Sequence, residues 1–192
     1  MRNQVGRVQF LGSFDHTDMP PGDLPEVAFA GRSNVGKSSA LNTLLKRKKA
    51  ARVSGRPGRT QRINLFRVGD ACVFADLPGY GFARVPDAVR DAWKPMIEGY
   101  LGARQTLKLV VVLVDARREP QELDIELVVG LVEAQIPCLV VTTKVDKLKK
   151  HERKPTLRKL ADAFGVPEAI PFSSLTGEGR DRVWDILEQC CR

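Results

Sequence analysis

Long apolar runs are missing from this chain. The most apolar stretch, LVVVLV at 109–114, falls far short of the roughly 20 residues that a membrane helix needs. The first ten residues, MRNQVGRVQF, hold no apolar core of the kind a secretory signal requires. Cysteine is sparse. Cys72, Cys138, Cys190 and Cys191 make no CxxC and no zinc-type spacing, and adjacent Cys190 and Cys191 do not suit a mutual bridge. Four free thiols in a reducing cytoplasm are therefore expected. The only histidines, His16 and His151, stand in polar stretches without ligand partners nearby and are read as surface residues. No repeat period and no low-complexity tract occur. Aromatic side chains do not interleave with the basic stretches, which argues against base stacking on a nucleic acid.

What is present suits one compact domain of 192 residues with a sizeable core and short tails. Lys and Arg number 31 against 23 Asp and Glu, a formal net charge of +8. Such a balance points to a polyanionic partner. No long apolar stripe is left over for self-association, so a monomer is expected.

Short runs rich in Val, Ile and Phe alternate with helix-patterned segments. The strand candidates are VAFAG (27–31), INLFRV (63–68), CVFADL (72–77), LKLVVVLVD (107–115), PCLVVTT (137–143) and AIPFS (169–173). Near-continuous apolar strands are buried on both faces, which calls for helices above and below a mainly parallel sheet. Only Gly69, Asp70 and Ala71 separate the second and third runs, too few for a parallel crossover, so those two pair as an antiparallel hairpin. Helices are predicted over 37–46, 88–101, 122–134, 154–164 and 179–189, with Pro155 in the first turn of its helix. Trp93 and Trp184 sit among apolar helical neighbours and read as core. The expected fold is a three-layer α/β domain: a mainly parallel six-stranded sheet, one antiparallel strand, helices on both faces. An N-terminal segment, 1–22, carries a further edge-strand candidate, VQFLGSF (8–14), ahead of the main domain, 23–192.

GRSNVGKS at 31–38 fits G-x-x-x-x-G-K-[ST] between a predicted strand and a predicted helix, the context this phosphate-binding loop needs. Gly31 and Gly36 let backbone N–H groups converge on a phosphate, and the helix dipole adds positive potential. Lys37 reaches the β- and γ-phosphates, and the Ser38 hydroxyl is a hard oxygen suited to Mg²⁺. Asp76, in DLPG, ends the third strand. Its carboxylate can hold a water of the Mg²⁺ shell, and the Gly79 N–H can contact a γ-phosphate. TKVD at 143–146 follows the strand PCLVVTT. The Asp146 carboxylate matches the two donors on the Watson–Crick edge of guanine and would face a lone pair on adenine. The stem of Lys144 can lie along the base plane. The common form of this motif begins with Asn; here Thr143 stands in its place. After the last strand, a backbone N–H of SSL (173–175) can reach guanine O6. Between the phosphate loop and Asp76, VSGRPGRTQR (53–62) reads as a loop whose Thr60 closes over γ-phosphate and Mg²⁺.

With these residues in place, GRSNVGKS, GRTQ, DLPGYGFA, TKVDKL and the SS of PFSSLTGEG together resemble the EngB/YihA/YsxC family of bacterial ribosome-biogenesis GTPases, within the TrmE-Era-EngA-EngB-Septin-like P-loop GTPases. The resemblance runs from about residue 8 to 190, and Thr143 is usual in that family. It implies a Ras-like P-loop NTPase fold, an EngB-type G domain over 23–192, and Mg²⁺-dependent binding and hydrolysis of GTP. It also implies help in assembling the large ribosomal subunit, and a need for the protein in normal cell division and septation. The implied nucleotide-contacting set is Gly31, Arg32, Ser33, Asn34, Val35, Gly36, Lys37, Ser38, Ser39, Gly58, Arg59, Thr60, Gln61, Asp76, Leu77, Pro78, Gly79, Thr143, Lys144, Val145, Asp146, Phe172, Ser173 and Ser174. Ser38, Thr60 and Asp76 are the implied Mg²⁺ set, with Lys37, Thr60, Gly79 and Asn34 at the reacting phosphate.

Many GTPases orient the attacking water with a Gln directly after the D-x-x-G glycine. Here that residue is Tyr80, which has no amide. Two answers stay open: a monovalent cation, K⁺, held beside the triphosphate with Asn34 as a ligand, or a group supplied in trans by the ribosome. Slow intrinsic hydrolysis is expected. Every charged residue from 46 to 67 is positive, and 144–159 is basic again, with only Asp146 and Glu152 opposing. Uniform positive sign suits rRNA phosphates, read by backbone and shape. The readings in competition are a GTPase switch that binds ribosomal RNA, a basic RNA-binding assembly module that holds GTP as a structural ligand, and an ATP-using P-loop protein, against which Asp146 argues.

Overall fold

The computed structural model describes residues 1–4, 7–47, 62–81 and 87–192. Seven strands form one sheet: β1 (Val8–Phe14), β2 (Glu26–Gly31), β3 (Ile63–Val68), β4 (Cys72–Asp76), β5 (Leu107–Asp115), β6 (Cys138–Thr143) and β7 (Ile170–Pro171). The helices are α1 (Lys37–Leu44), α2 (Asp87–Ala103), α3 (Glu122–Glu133), α4 (Lys150–Phe164) and α5 (Arg180–Cys190). The strand order is β1-β3-β4-β2-β5-β6-β7. β3 runs antiparallel to both its neighbours, and β4, β2, β5, β6 and β7 are parallel. The sheet therefore has seven strands rather than the six counted for the main domain, because β1 pairs with β3 along its length. β3 is the one reversed strand, as the three-residue turn at 69–71 demands.

Every residue of β2 and β4 is buried, as expected of strands covered on both faces. The period of two along each strand sorts its side chains between two cores. Val27, Phe29, Phe74, Val111 and Leu113 pack with Leu41 and Leu44 of α1 and Trp184 and Leu187 of α5. Ala28, Ala30, Ala75, Val110 and Val112 pack with Ile97 and Tyr100 of α2, Val128 and Leu131 of α3, and Leu160 and Phe164 of α4. The second face of β2 and β4 carries alanines, which lets these helices approach closely. Trp184 is fully buried, stacks on Phe74 and donates its Nε1–H to Leu44 O at 3.1 Å. The cysteines are free thiols; burial pushes the Cys72 thiol well up. No described helix is long and apolar enough to cross a membrane.

Two expectations need correction. α4 begins at Lys150, not 154, so Pro155 lies in its second turn. The early start follows from Glu152, whose carboxylate accepts the Lys149 N–H at 2.9 Å and caps the first turn. His16 is half-buried rather than a free surface residue, and its Nδ1 lies 2.6 Å from Asp15 Oδ1.

Candidate functional site

The parallel strands β2, β4, β5, β6 and β7 deliver their C-terminal ends to one edge of the sheet, where open α/β folds bind ligands. Gly31 ends β2 and Lys37 starts α1, so residues 32–36 form a loop between strand and helix. Gly36 holds φ 106°, a left-handed conformation that a Cβ would strain, and supplies no side-chain cap. Uncapped amides at the start of α1, together with its dipole, favour an anion there. Ser38 and Ser39 lie partly buried in the first turn of α1, while Val35 turns into the core.

Asp76 ends β4, in parallel register with Phe29 of β2, and its carboxylate is bonded to the Lys37 ammonium. Mg²⁺ takes hard oxygens, often only one or two from the protein, and fills its shell with water and phosphate oxygens. The Ser38 hydroxyl and Asp76 carboxylate match that donor set. Thr60, the third expected ligand, lies outside the described residues, as do Gly58, Arg59 and Gln61 and the basic residues Lys48, Lys49, Arg52 and Arg56.

The base end is built from the loops after β6 and β7. Thr143 is 2% exposed, and its hydroxyl donates to Val35 O at 2.7 Å, with Val114 O farther off at 3.1 Å. A threonine at this position thus still ties β6 to the phosphate loop. Lys144 adopts φ 60°, turning the chain away from the strand, and its ammonium donates to Asn34 O at 2.7 Å and to Asp115 Oδ2 at 2.9 Å. The fully buried Ser173 donates its hydroxyl to Asp146 Oδ1 at 2.6 Å and accepts the N–H groups of Leu175 and Thr176, each at 3.2 Å. One carboxylate oxygen of Asp146 is held in place in this way. Ser174 is exposed beside it. Val145 and Phe172 are core residues, and the Phe172 ring packs beneath the loops rather than lining them, in contrast to its place in the expected contact set.

The family described as "50S ribosome-binding GTPase" matches residues 26–144. The probable GTP-binding protein EngB of Syntrophus aciditrophicus is 53% identical over 171 residues, which cover 88% of this chain and 87% of that protein. Its counterpart in Syntrophotalea carbinolica is 51% identical, covering 88% and 82%. The chain belongs to the EngB family of GTP-binding proteins. A crystal structure of a probable EngB GTP-binding protein, 28% identical, superposes with a TM-score of 0.74 over 87% of this chain and 98% of its own. EngB proteins are P-loop GTPases, so binding of GTP or GDP is the activity class of the family.

The DLPGY segment of this EngB chain is bonded to both its neighbours. A Cβ on Gly79 would lie 2.9 Å from Ser33 Oγ and 3.3 Å from Ser33 Cα and N, so the segment packs tightly on the phosphate loop at this glycine. The Ser33 N–H donates to Tyr80 O at 2.9 Å, Arg32 pairs with Tyr80 as an isolated bridge, and the Leu77 N–H reaches Phe29 O at 3.0 Å. The Tyr80 side chain is 5% exposed and turned toward α3, where its hydroxyl donates to Asp124 Oδ1 at 2.6 Å. Its ring packs on Trp93, ring centroids 4.7 Å apart, and Trp93 Nε1–H donates to Pro78 O at 2.8 Å. Burial raises the Asp124 pKa, with the Tyr80 hydroxyl and Arg32 opposing.

Sequence reasoning assigned no role to Asp115, Arg117 or Asp124. The available signal for Asp115 was a carboxylate ending an otherwise apolar strand, the same pattern that marked Asp76.

Proposed function

We propose that this EngB-family chain is a Mg²⁺-dependent GTPase switch that assists assembly of the large ribosomal subunit. The observation that carries the reading is the meeting, on one sheet edge, of Lys37 and Asp76 at a phosphate end with Lys144, Asp146 and Ser173 at a base end. Residues 23–192 act as the G domain, preceded by the segment 1–22. Asp146 pairs with guanine, and Lys37 neutralises the β- and γ-phosphates. Ser38, Asp76 and Thr60 would hold Mg²⁺, which when bound would offset charge building on the phosphate oxygens. The Gly79 N–H and Thr60 sense the γ-phosphate and lose that contact after hydrolysis. Intrinsic cleavage is slow, because the residue after Gly79 is engaged with α3. K⁺ at Asn34, the ribosome, or both raise the rate. Lys46, Arg47 and the basic stretch 144–159 contact rRNA phosphates, in keeping with the 50S-binding description of the matched family. The protein acts as a cytoplasmic monomer, and defective subunit assembly would underlie a need for it in cell division and septation.

Co-sedimentation with large subunits tests the switch. More protein should pellet with a non-hydrolysable GTP analogue than with GDP, and less of it as salt rises; equal pelleting in both states removes the switch. The burial of Tyr80 against Asp124 also favours a second reading, an rRNA-binding module that keeps GTP as a structural ligand. Single-turnover hydrolysis with and without subunits, in KCl and in NaCl, separates the two: a rate raised by neither leaves the structural-ligand reading. Loss of a KCl effect in Asn34→Ala is the expected mark of the cation site.

A further inference from the structure

β5 runs through six apolar residues at 109–114 and then ends on a carboxylate. The Asp115 side chain is only 5% exposed, an unfavourable place for a charge unless its oxygens are bonded. Each is bonded twice. Oδ1 accepts the Arg117 backbone N–H at 3.1 Å and its Nε–H at 2.9 Å. Oδ2 accepts Arg117 Nη2 at 2.8 Å and Lys144 Nζ at 2.9 Å. Burial alone would raise the Asp115 pKa; the hydrogen bonds from Arg117 and Lys144 outweigh it and hold the carboxyl well below the usual carboxylate range. Arg117 thus neutralises the buried carboxylate, and the remaining lone pair is aimed at Lys144.

Lys144 is the residue whose direction matters. Its backbone turns at φ 60°, and its ammonium has two anchors, Asp115 and the Asn34 carbonyl of the phosphate loop. A Cβ on Gly36 would sit 3.7 Å from Lys144 Cε, so the stem lies across the phosphate loop. A lysine stem is otherwise among the most mobile of side chains.

We propose that Asp115 is a positioning residue for the guanine pocket: it fixes the Lys144 ammonium so that the stem stands ready as one wall for the base. The inference rests on the base-pocket reading given above. Asp115 acts at the base end, where guanosine di- and triphosphate are alike. Its loss should therefore weaken both ligands by the same factor, about tenfold, a difference of about 1.4 kcal/mol.

The test uses nucleotide-free, full-length protein with fluorescent mant-GDP and a mant-labelled non-hydrolysable GTP analogue. Kd and dissociation rate are measured for the wild type, Asp115→Asn, Asp115→Ala, Lys144→Ala and the Asp115→Ala/Lys144→Ala double variant. The expected result is an equal loss for both ligands in either Asp115 variant, seen as faster dissociation. The double variant should be no weaker than Lys144→Ala alone, since the carboxylate acts through that lysine. An unchanged Kd in Asp115→Asn and Asp115→Ala overturns the proposal. So does a loss from Asp115→Ala that is as large in the Lys144→Ala background, which marks general disruption. Asp115→Asn keeps the shape of the side chain and decides the matter if the alanine variant does not fold. Failure of the base-pocket reading shows separately, as unaltered base preference in Asp146→Asn.

Discussion

Replacing Tyr80 by Phe removes one hydroxyl and keeps the ring that packs on Trp93. The hydroxyl is the hydrogen-bond donor to Asp124, a carboxylate 4% exposed in the first turn of α3. A hydrogen bond to a charged group is worth about 1.5–3 kcal/mol net, and a stranded buried acceptor forfeits that much or more. The structure offers Asp124 the more distant Arg32 charge as compensation, so a loss of about 2 kcal/mol is expected at pH 7.5. For a domain of this size that is a fall of about 4–8 °C in Tm. The loss should depend on pH with a definite sign. Asp124 has a folded-state pKa above its ordinary 3.8, so the native state holds this proton more tightly than the unfolded chain. The cost of its charge is therefore fully present above the folded pKa and is relieved as pH falls toward 3.8 and below. Tyr80→Phe deletes an influence that lowers this pKa, which widens the window and lets protonation relieve the stranded charge. Denaturant unfolding of nucleotide-free protein should thus show a smaller loss at pH 4 than at pH 7.5. The double variant Tyr80→Phe/Asp124→Asn should be less destabilised at pH 7.5 than Tyr80→Phe alone, because the buried charge is gone. A loss below about 0.5 kcal/mol at pH 7.5, or one equal at both pH values, would refute the assignment of Tyr80 as the partner that satisfies Asp124.

Thr143→Val keeps the shape of the side chain but leaves Val35 O without its 2.7 Å donor; unfolding free energy should fall by about 1–2 kcal/mol, as read by urea titration. Asp146→Asn should transfer preference from guanosine to xanthosine diphosphate in a competition assay, by at least about tenfold, since the amide presents a donor where guanine offers one. Ser173→Ala frees the Asp146 oxygen now held at 2.6 Å and should weaken GDP binding about five- to tenfold by calorimetry, with the fold intact.

Much of this was legible because it is local. The phosphate loop is eight consecutive residues, and the strand before it and helix after it carry their own patterns. Asp76 and Asp146 could be singled out because one ends and the other closely follows a strand whose apolar run marks where the sheet edge must be. The three-residue turn at 69–71 made β3 antiparallel without further information. What was not legible depends on contacts between distant residues. Tyr80 and Asp124 are 44 positions apart, and Asp115 and Lys144 are 29 apart. Nothing in either local sequence tells that a tyrosine hydroxyl will be turned from the nucleotide edge into a helix. Pro155 misled for a physical reason: proline favours a first turn, but Glu152 caps the helix earlier and leaves Pro155 in the second turn, where its missing N–H forgoes one bond. Phe172 was carried into the contact set by its neighbours, whereas just past the end of β7 its ring is fully buried in the core.

The two ends of the site are prepared differently. At the proposed base end, Thr143 on Val35 O, Lys144 on Asn34 O and Asp115, and Ser173 on Asp146 are bonds already made among protein groups, and none of them uses the second Asp146 oxygen that the proposed reading assigns to guanine. At the phosphate end, Lys37 and Asp76 are bonded to each other. On the proposed reading a nucleotide must part them, since Lys37 is needed by the phosphates and Asp76 by the Mg²⁺ shell. Base recognition thus starts from a preset frame, while triphosphate recognition requires an exchange of partners at the end of β4. Asp76 leads within four residues to Tyr80, which is fixed to the phosphate loop through Ser33 and to α3 through Asp124. A shift at Asp76 therefore has a short, bonded route to the outer helices. On the same reading, the tyrosine in the place of a water-orienting glutamine serves that route, since its hydroxyl is bonded to Asp124.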